Sequence, residues 1–363
     1  MFQDVQLQNY RGFSHFTVSG LKRINLFVGR NNCGKTSLIE AVQILSAGDR
    51  WSLLDIAERR GEVLVDVASR DRRDDETMEV SHFFHGHYAE IGASFAIQSD
   101  SAATSLEFSL TSPRDVEPQL RLFDEEETAV VLQLDRWSRG TRATSFLPLT
   151  AMSTARRRAA HVRDRSLAAP MAPSKTRFIT PDSLNSRSLT EMWQQVMVDG
   201  NEEPIVEALQ LIEPGIRDIR FLPEQSYRRD RHGIVLGMKG QRGRVPLGSM
   251  GDGIRRLLAL ATSLSSVSEG FLFVDEIDTG LHYSILADMW RLVIETARRN
   301  AIQVFATTHS LDCLRALALV CDISPSYAGE VAVNSISQDS PVSIALTADE
   351  LRAAIEHDLE VRG

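Results

Sequence analysis

The residues whose spacing carries the most chemistry run Gly29-Arg30-Asn31-Asn32-Cys33-Gly34-Lys35-Thr36. A glycine at each end lets such a loop wrap an anion, with its backbone N–H groups pointing inward at a phosphate. Lys35 then reaches the β- and γ-phosphates of a nucleoside triphosphate, and the Thr36 hydroxyl takes Mg²⁺. The expected contact set is the whole loop plus Ser37, which follows it. The chain holds only four lysines, so a lysine at this position carries more information than usual.

Two further constellations fit the same chemistry. The run Phe271-Leu-Phe-Val ends in Asp275-Glu276, so an apolar strand delivers two acids to its carboxyl end,. Asp275 is the expected partner of Mg²⁺ or of its water, and Glu276 is placed to polarise a water for in-line attack on a γ-phosphate. The run Gln303 to Ala306 ends in Thr307-Thr308-His309-Ser310, which puts His309 at another strand end, within reach of the same phosphate. The expected catalytic residues are therefore Lys35, Glu276 and His309, and the expected metal ligands are Thr36 and Asp275. Taken alone, the acids would read as a solvated helix start and His309 as a surface histidine. Their company with the glycine loop decides for chemistry.

These motifs need a strand–loop–helix frame, and the pattern supplies it. Ile24 to Val28 reads as a buried strand, and Lys35 to Ser46 as a helix with Leu38, Ile39, Val42 and Leu45 on one face,. Residues 50 to 76 read as a surface helix or loop insertion. Residues 79 to 135 alternate in short runs, EVSHFFHG among them, and suggest antiparallel strands with an acidic turn at Asp124 to Glu127,. Residues 187 to 214 have helical period and 216 to 246 read as a strand pair. From Ser249 the pattern is α/β again, with a long helix from Leu281 to Arg299, then a short strand pair and a terminal helix.

The chain has 363 residues, 43% apolar, enough for a large core and a smaller lobe,. The expected boundaries are a nucleotide-binding core of 1–48 and 245–363, a β-rich lobe at 49–140, and a helical and basic insertion at 141–244. A net charge of −9 argues against a surface that coats nucleic acid throughout,. Basic patches remain: Arg156, Arg157, Arg158, Arg163, Arg165, Lys175 and Arg177 face only Asp164, and Arg228, Arg229, Arg231, Lys239, Arg242 and Arg244 precede Ser249. No apolar run reaches membrane length, no leader is expected, and three cysteines without a CxxC pair suggest neither a disulfide framework nor zinc,. The expected compartment is the reducing cytoplasm.

With these phrases assembled, the chain resembles the ABC ATPases, and more narrowly the RecF/SMC/OLD branch with its small AAA15-type ATPases. The resemblance rests on Asn9-Tyr10-Arg11-Gly12-Phe13, the glycine loop, Pro246-Leu-Gly-Ser249-Met-Gly251-Asp-Gly253, Asp275-Glu276-Ile-Asp278-Thr-Gly280-Leu-His282 and Ala306-Thr-Thr-His309-Ser310. It implies an α/β P-loop NTPase of ABC-head type: a mixed-sheet core, an antiparallel β subdomain and a smaller helical lobe. It also implies that Ser249, Gly251 and Gly253 are a signature motif that meets the triphosphate of a second copy. Two ATPs would then be sandwiched in a two-fold homodimer. Asp278 to His282 matches the D-loop at that interface, and Arg11 resembles an N-terminal arginine near the nucleotide.

The departures are also informative. No glutamine stands out as the Q-loop residue, Gln98 being the one weighed. There is no long heptad arm. The residues after Thr308 are too few for the TOPRIM nuclease of OLD proteins, so no DNA cleavage by this chain is expected.

The resemblance implies an ATP hydrolase acting as a dimer switch, as in the ATPase component of a bacterial anti-phage system that regulates a separate effector. A RecF-like DNA-binding repair ATPase is the alternative. The basic patches serve that alternative or are solvated loops, and the sequence leaves both open. Glu276 and His309 argue against a module that binds ATP without hydrolysing it.

Overall fold

The computed structural model describes residues 1–65, 76–116, 130–149, 154–156, 175–181, 186–198, 200–222, 233–337, 339–347 and 350. In chain order the strands β1 (Asp4–Tyr10), β2 (Phe13–Ser19) and β3 (Ile24–Val28) lead into helices α1 (Lys35–Ala47) and α2 (Trp51–Arg60). Strands β4 (Val63–Val65), β5 (Glu76–Glu79), β6 (Ser94–Ser99), β7 (Thr104–Thr111), β8 (Val130–Ser138), β9 (Thr141–Leu149), β10 (Thr154–Arg156) and β11 (Thr176–Ile179) follow. Then come α3 (Ser186–Val198), α4 (Glu202–Gln210), β12 (Ile216–Phe221), β13 (Ile234–Met238), β14 (Arg244–Pro246) and α5 (Asp252–Ser266). The last elements are β15 (Phe271–Val274), α6 (Leu286–Arg299), β16 (Gln303–Thr307), α7 (Leu311–Ile323), β17 (Val331–Ser335) and β18 (Ile344–Leu346).

Two compact units arise from this order. The first comprises Met1–Leu21, Asn32–Ser174 and Ile336–Ser343, and the second Lys22–Asn31, Lys175–Ser335 and Ile344–Gly363. The chain therefore passes from one unit to the other inside the glycine loop.

The first unit is built on an antiparallel sheet of order β2-β1-β6-β7-β8-β9. Its strands alternate: β6 and β7 bury every second residue, so one face makes a core and the other meets solvent,. Phe95 stacks on Phe108 with ring centroids 4.6 Å apart. Helix α1 buries Leu38, Ile39, Val42 and Leu45.

The second unit is built on a sheet of order β11-β15-β16-β3-β17-β18, parallel except at β18. Strands β3, β15 and β16 bury every residue. That is the signature of parallel strands covered on both faces, and it explains their unbroken apolar runs. Leu257, Leu258 and Leu264 of α5, Trp290 and Val293 of α6, and Leu317 of α7 share one core with Leu26, Leu272 and Val304 of the sheet. A small antiparallel sheet, β12-β13-β14, leads into the Ser249 loop.

Three expectations change. The run from Glu79 to Gly86 is not a strand beyond β5 but two 3₁₀ turns, Ser81–Phe83 and His85–His87. Its consecutive Phe83 and Phe84 are both buried against Phe95, which the alternation of a strand forbids,. The helix expected from Leu281 begins at Leu286, because Gly280 lies at φ +78° and a 3₁₀ turn, Tyr283–Ile285, intervenes. Helix α7 was not foreseen between β16 and the last strand pair. The acidic turn Asp124 to Glu127, most of the basic 156–177 segment, Arg228, Arg229, Arg231 and the terminal helix lie outside the described residues.

Candidate functional site

Strands β15, β16 and β3 lie side by side and parallel, with Val274 opposite Ala306 and Thr307 opposite Phe27. Their carboxyl ends therefore share one edge of the sheet. At that edge Gly29 leaves β3, Asp275 and Glu276 leave β15, and Thr308 and His309 leave β16. The Thr308 N–H donates to the Phe27 carbonyl at 3.1 Å, which ties two of these ends together.

The acids are held by Thr307, which the sequence reading named within its strand-end phrase but gave no role. The fully buried Thr307 hydroxyl donates to Asp275 Oδ1 at 2.6 Å and accepts from the Glu276 N–H at 2.8 Å. One hydroxyl thus satisfies its donor and an acceptor site on the two residues expected to do the chemistry. Glu276 sits at φ +48°, a left-handed conformation costing a non-glycine residue on the order of 1–2 kcal/mol,. It is held there by Thr307 at its N–H and by Arg256 Nη2 at its carbonyl, 2.8 Å away. Its carboxylate accepts from Thr279 Oγ1 at 3.0 Å and lies 3.6 Å from His309 Nδ1. Both side chains are open to solvent.

Neighbouring residues brace this edge. Thr308 Oγ1 donates to Asp278 Oδ1 at 2.6 Å and accepts from the Ser310 N–H at 3.0 Å. Ser310 in turn caps α7 through the Cys313 N–H,. Arg256 donates Nη1 to the Thr180 carbonyl at 2.7 Å and Nη2 to the Asp275 carbonyl at 2.8 Å. Burial holds its guanidinium below the ordinary value, with the carboxylates of Asp278, Asp275 and Glu276 pulling the other way,. Burial also pushes the Cys313 thiol up, which leaves it inert,.

Gly34 begins α1 at φ +96°, and a Cβ there would run into the Phe13 ring. Only glycine meets both demands. The first turn of α1 carries no acid and no side-chain cap, whereas α5, α6 and α7 each carry an aspartate there. No acidic side chain therefore competes at the positive dipole end of this helix,. Gly34, Lys35, Thr36 and Ser37 are part-buried, Cys33 is buried and Arg30, Asn31 and Asn32 are exposed.

Arg11, at φ +48°, is 5% exposed. It is paired bidentately with Glu62 at 2.8 and 3.1 Å, lies 3.5 Å from the buried Glu40, and stacks over Phe83. Arg60 clasps the other side of Glu40 and reaches Ser37 Oγ at 3.3 Å. Gln98 lies within β6, bonded to Gln6. Ser249 and Gly251 are exposed, ahead of α5, and Gly253 is part-buried.

The donors suit the expected metal. A hydroxyl (Thr36) and a carboxylate (Asp275) are hard oxygen ligands of the kind Mg²⁺ takes alongside substrate phosphates. Among the described residues no cluster of three or more His, Cys, Asp or Glu side chains offers a self-contained metal site. No described helix is long and apolar enough to cross a membrane.

Comparison with known proteins settles the family. Residues 24–314 match the family described as "AAA domain, putative AbiEii toxin, Type IV TA system". The chain belongs to this family. The match spans both the glycine loop and the Asp275 to Ser310 edge, and it bears out the resemblance to RecF- and SMC-like ABC-class ATPases.

A relative named ATP/GTP phosphatase, from Helicobacter pylori, is 21% identical over 96% of this chain and 95% of its own. The DNA replication and repair protein RecF of Bacillus mycoides is 40% identical over 12% of each chain. A solved SMC head bound to the C-winged helix domain of ScpA covers 95% of this chain and 97% of its own, at 14% identity and a TM-score of 0.47.

Proposed function

We propose that the chain is an ATP hydrolase of the RecF/SMC-like ABC class working as a homodimeric switch. ATP closes two copies on each other and hydrolysis lets them part. The observation that carries the reading is the anchored pair of acids at the end of β15, with Glu276 held by Thr307 beside His309. Membership of an AAA family and a near full-length relative named ATP/GTP phosphatase support it.

The roles follow from the chemistry of each residue. The loop Gly29 to Gly34 turns its N–H groups to the phosphates, Lys35 neutralises them, and Ser37 lies with the loop's helix in the nucleotide-binding set, while Arg11 is committed to Glu62. Thr36 and Asp275 would hold Mg²⁺, which would supply charge neutralisation at the phosphates. Glu276 orients the attacking water and His309 contacts the γ-phosphate. Exposed Ser249 and Gly251, with Gly253, complete the site of the partner copy.

We place this switch in the cytoplasm, as the ATPase component of an anti-phage system that governs a separate effector. The family description carries the words "putative AbiEii toxin, Type IV TA system", and a toxin–antitoxin system likewise has two components. A second reading, a RecF-like DNA-binding repair ATPase, draws on the basic residues ahead of Ser249, of which Lys239, Arg242 and Arg244 are among the described residues. Against it, Arg244 is committed to Asp218, whose carboxylate its hydrogen bond holds below the usual range.

The test is Glu276→Gln. It keeps ATP binding, loses turnover by roughly 100-fold or more, and accumulates as an ATP-dependent dimer by light scattering. Wild-type hydrolysis in that variant removes the catalytic assignment. DNA affinity that falls steeply with salt would favour the second reading.

A further inference from the structure

Arg256 stands one turn into α5, the helix that the Ser249–Gly253 loop feeds. Its side chain is 2% exposed, and its hydrogen bonds all go to backbone carbonyls, those of Thr180, Asp275 and Glu276. Burying a cation is costly even with the carboxylates of Asp278, Asp275 and Glu276 favouring its charge, and an apolar side chain would fill the space more cheaply. What the guanidinium adds is a rigid fork of charge-assisted bonds that fixes where those carbonyls sit. One of them belongs to Glu276, whose left-handed backbone needs such constraint,.

A second contact joins the same two elements. A Cβ at Gly253 would lie 3.2 Å from the Gly280 carbonyl, so the start of α5 presses closely on the turn that follows Glu276. Helix α5 thus touches the 275–280 segment at both ends. A rigid shift of α5 must be passed to the backbone that aims the Glu276 carboxylate.

We propose that Arg256 is a positioning residue coupling the seating of the Ser249–Gly253 loop on a partner's nucleotide to the aim of Glu276 in its own chain. This rests on the dimeric ATPase reading above and adds how the two sites communicate. A copy that has closed on its partner's ATP has its own Glu276 set for water. Because the interface is two-fold, the coupling runs both ways. Lysine keeps the charge but presents a single compact head in place of the fork, so it cannot hold all three carbonyls in the same geometry.

The experiment uses the full chain with Arg256→Lys and Arg256→Ala, measuring kcat, KM for ATP, melting temperature and ATP-dependent dimer formation. Arg256→Lys is expected to lose kcat by roughly 10- to 100-fold, with KM within about threefold and with melting and dimer formation close to wild type. Guanidinium added to Arg256→Ala is expected to restore part of the lost kcat, where sodium chloride of equal strength restores none. Wild-type kcat in Arg256→Lys overturns the proposal. So does a loss of kcat that only follows the loss of folded protein and that guanidinium does not rescue. Glu276→Gln run in parallel separates the two levels. If it stops turnover while Arg256→Lys does not, the coupling alone fails; if it hydrolyses ATP normally, the reading beneath fails.

Discussion

Two arginines, Arg11 in one compact unit and Arg256 in the other, are almost wholly buried, and they are satisfied in opposite ways. Arg11 is met by charge: Glu62 bidentately, Glu40 at 3.5 Å, and the faces of Phe83 and Tyr10. Arg256 is met by backbone carbonyls, two of them from the paired acids at the end of β15. Opposite charges with good geometry repay part of the desolvation that each would cost alone, so the Arg11 cluster works as a clasp on α1 and α2. Arg256 has the carboxylates of Asp278, Asp275 and Glu276 near it but bonds to none of them, and its neutral carbonyl partners repay less. A cation kept in that setting is explained by the backbone it orders. The first arginine should therefore show itself in stability and the second in turnover.

The larger of two ways to break this contrast is Arg11→Met. It leaves Glu40 and Glu62 without their shared cation and should cost about 3 kcal/mol, read as a lower urea midpoint. The kcat of the folded protein should stay within about threefold. A rise in KM at unchanged kcat would put the guanidinium on the nucleotide, as the motif resemblance implies. An unmoved midpoint would dissolve the clasp.

A smaller effect comes from Tyr10 in the same cluster, whose phenol burial pushes up to about 12. Burial favours the neutral form, so its stabilising contribution is complete below the unfolded value of 10 and is lost as pH rises through about 12,. Unfolding free energies from urea titrations across that window should fall with a slope approaching about 1.4 kcal/mol per pH unit. They should fall less in Tyr10→Phe, and equal slopes in the two proteins would contradict the assignment.

The motifs at the ends of β3, β15 and β16 were legible in the sequence because they are local. The glycine loop, the acids after an apolar run and the Thr307–Ser310 phrase each sit within a few residues of the strand that presents them. What the sequence could not carry was pairing over distance. Strands β1 and β2 precede the glycine loop, yet they share a sheet with β6 to β9, a choice written in no local period. The run Glu79 to Gly86 mimicked alternation, and only the aromatic packing on Phe95 shows that it must turn.

Thr307 and Arg256 were unreadable for a related reason. A threonine ending a strand and an arginine in a helix are ordinary until their partners are known. The one available hint was an arginine in line with the apolar Ala259 and Leu260, on the side of α5 opposite Ile254, Leu257 and Leu258,.

The central claim is that each site is finished by the other copy, and mixing two inactive variants tests it most directly. Lys35→Ala lacks its own phosphate grip and Ser249→Arg lacks the element given to its partner, so each alone should be inactive. If the sites are shared, mixed dimers hold one intact site of two, and mixing should restore ATP-dependent dimers that neither variant forms alone; the ATPase rate then recovers to about a quarter of wild type at most, and to less where the coupling through Arg256 needs both loops seated. If Ser249 serves only its own chain, no mixed species has an intact site. ATP-dependent dimers on mixing support a shared site; a mixture that forms none in ATP contradicts it.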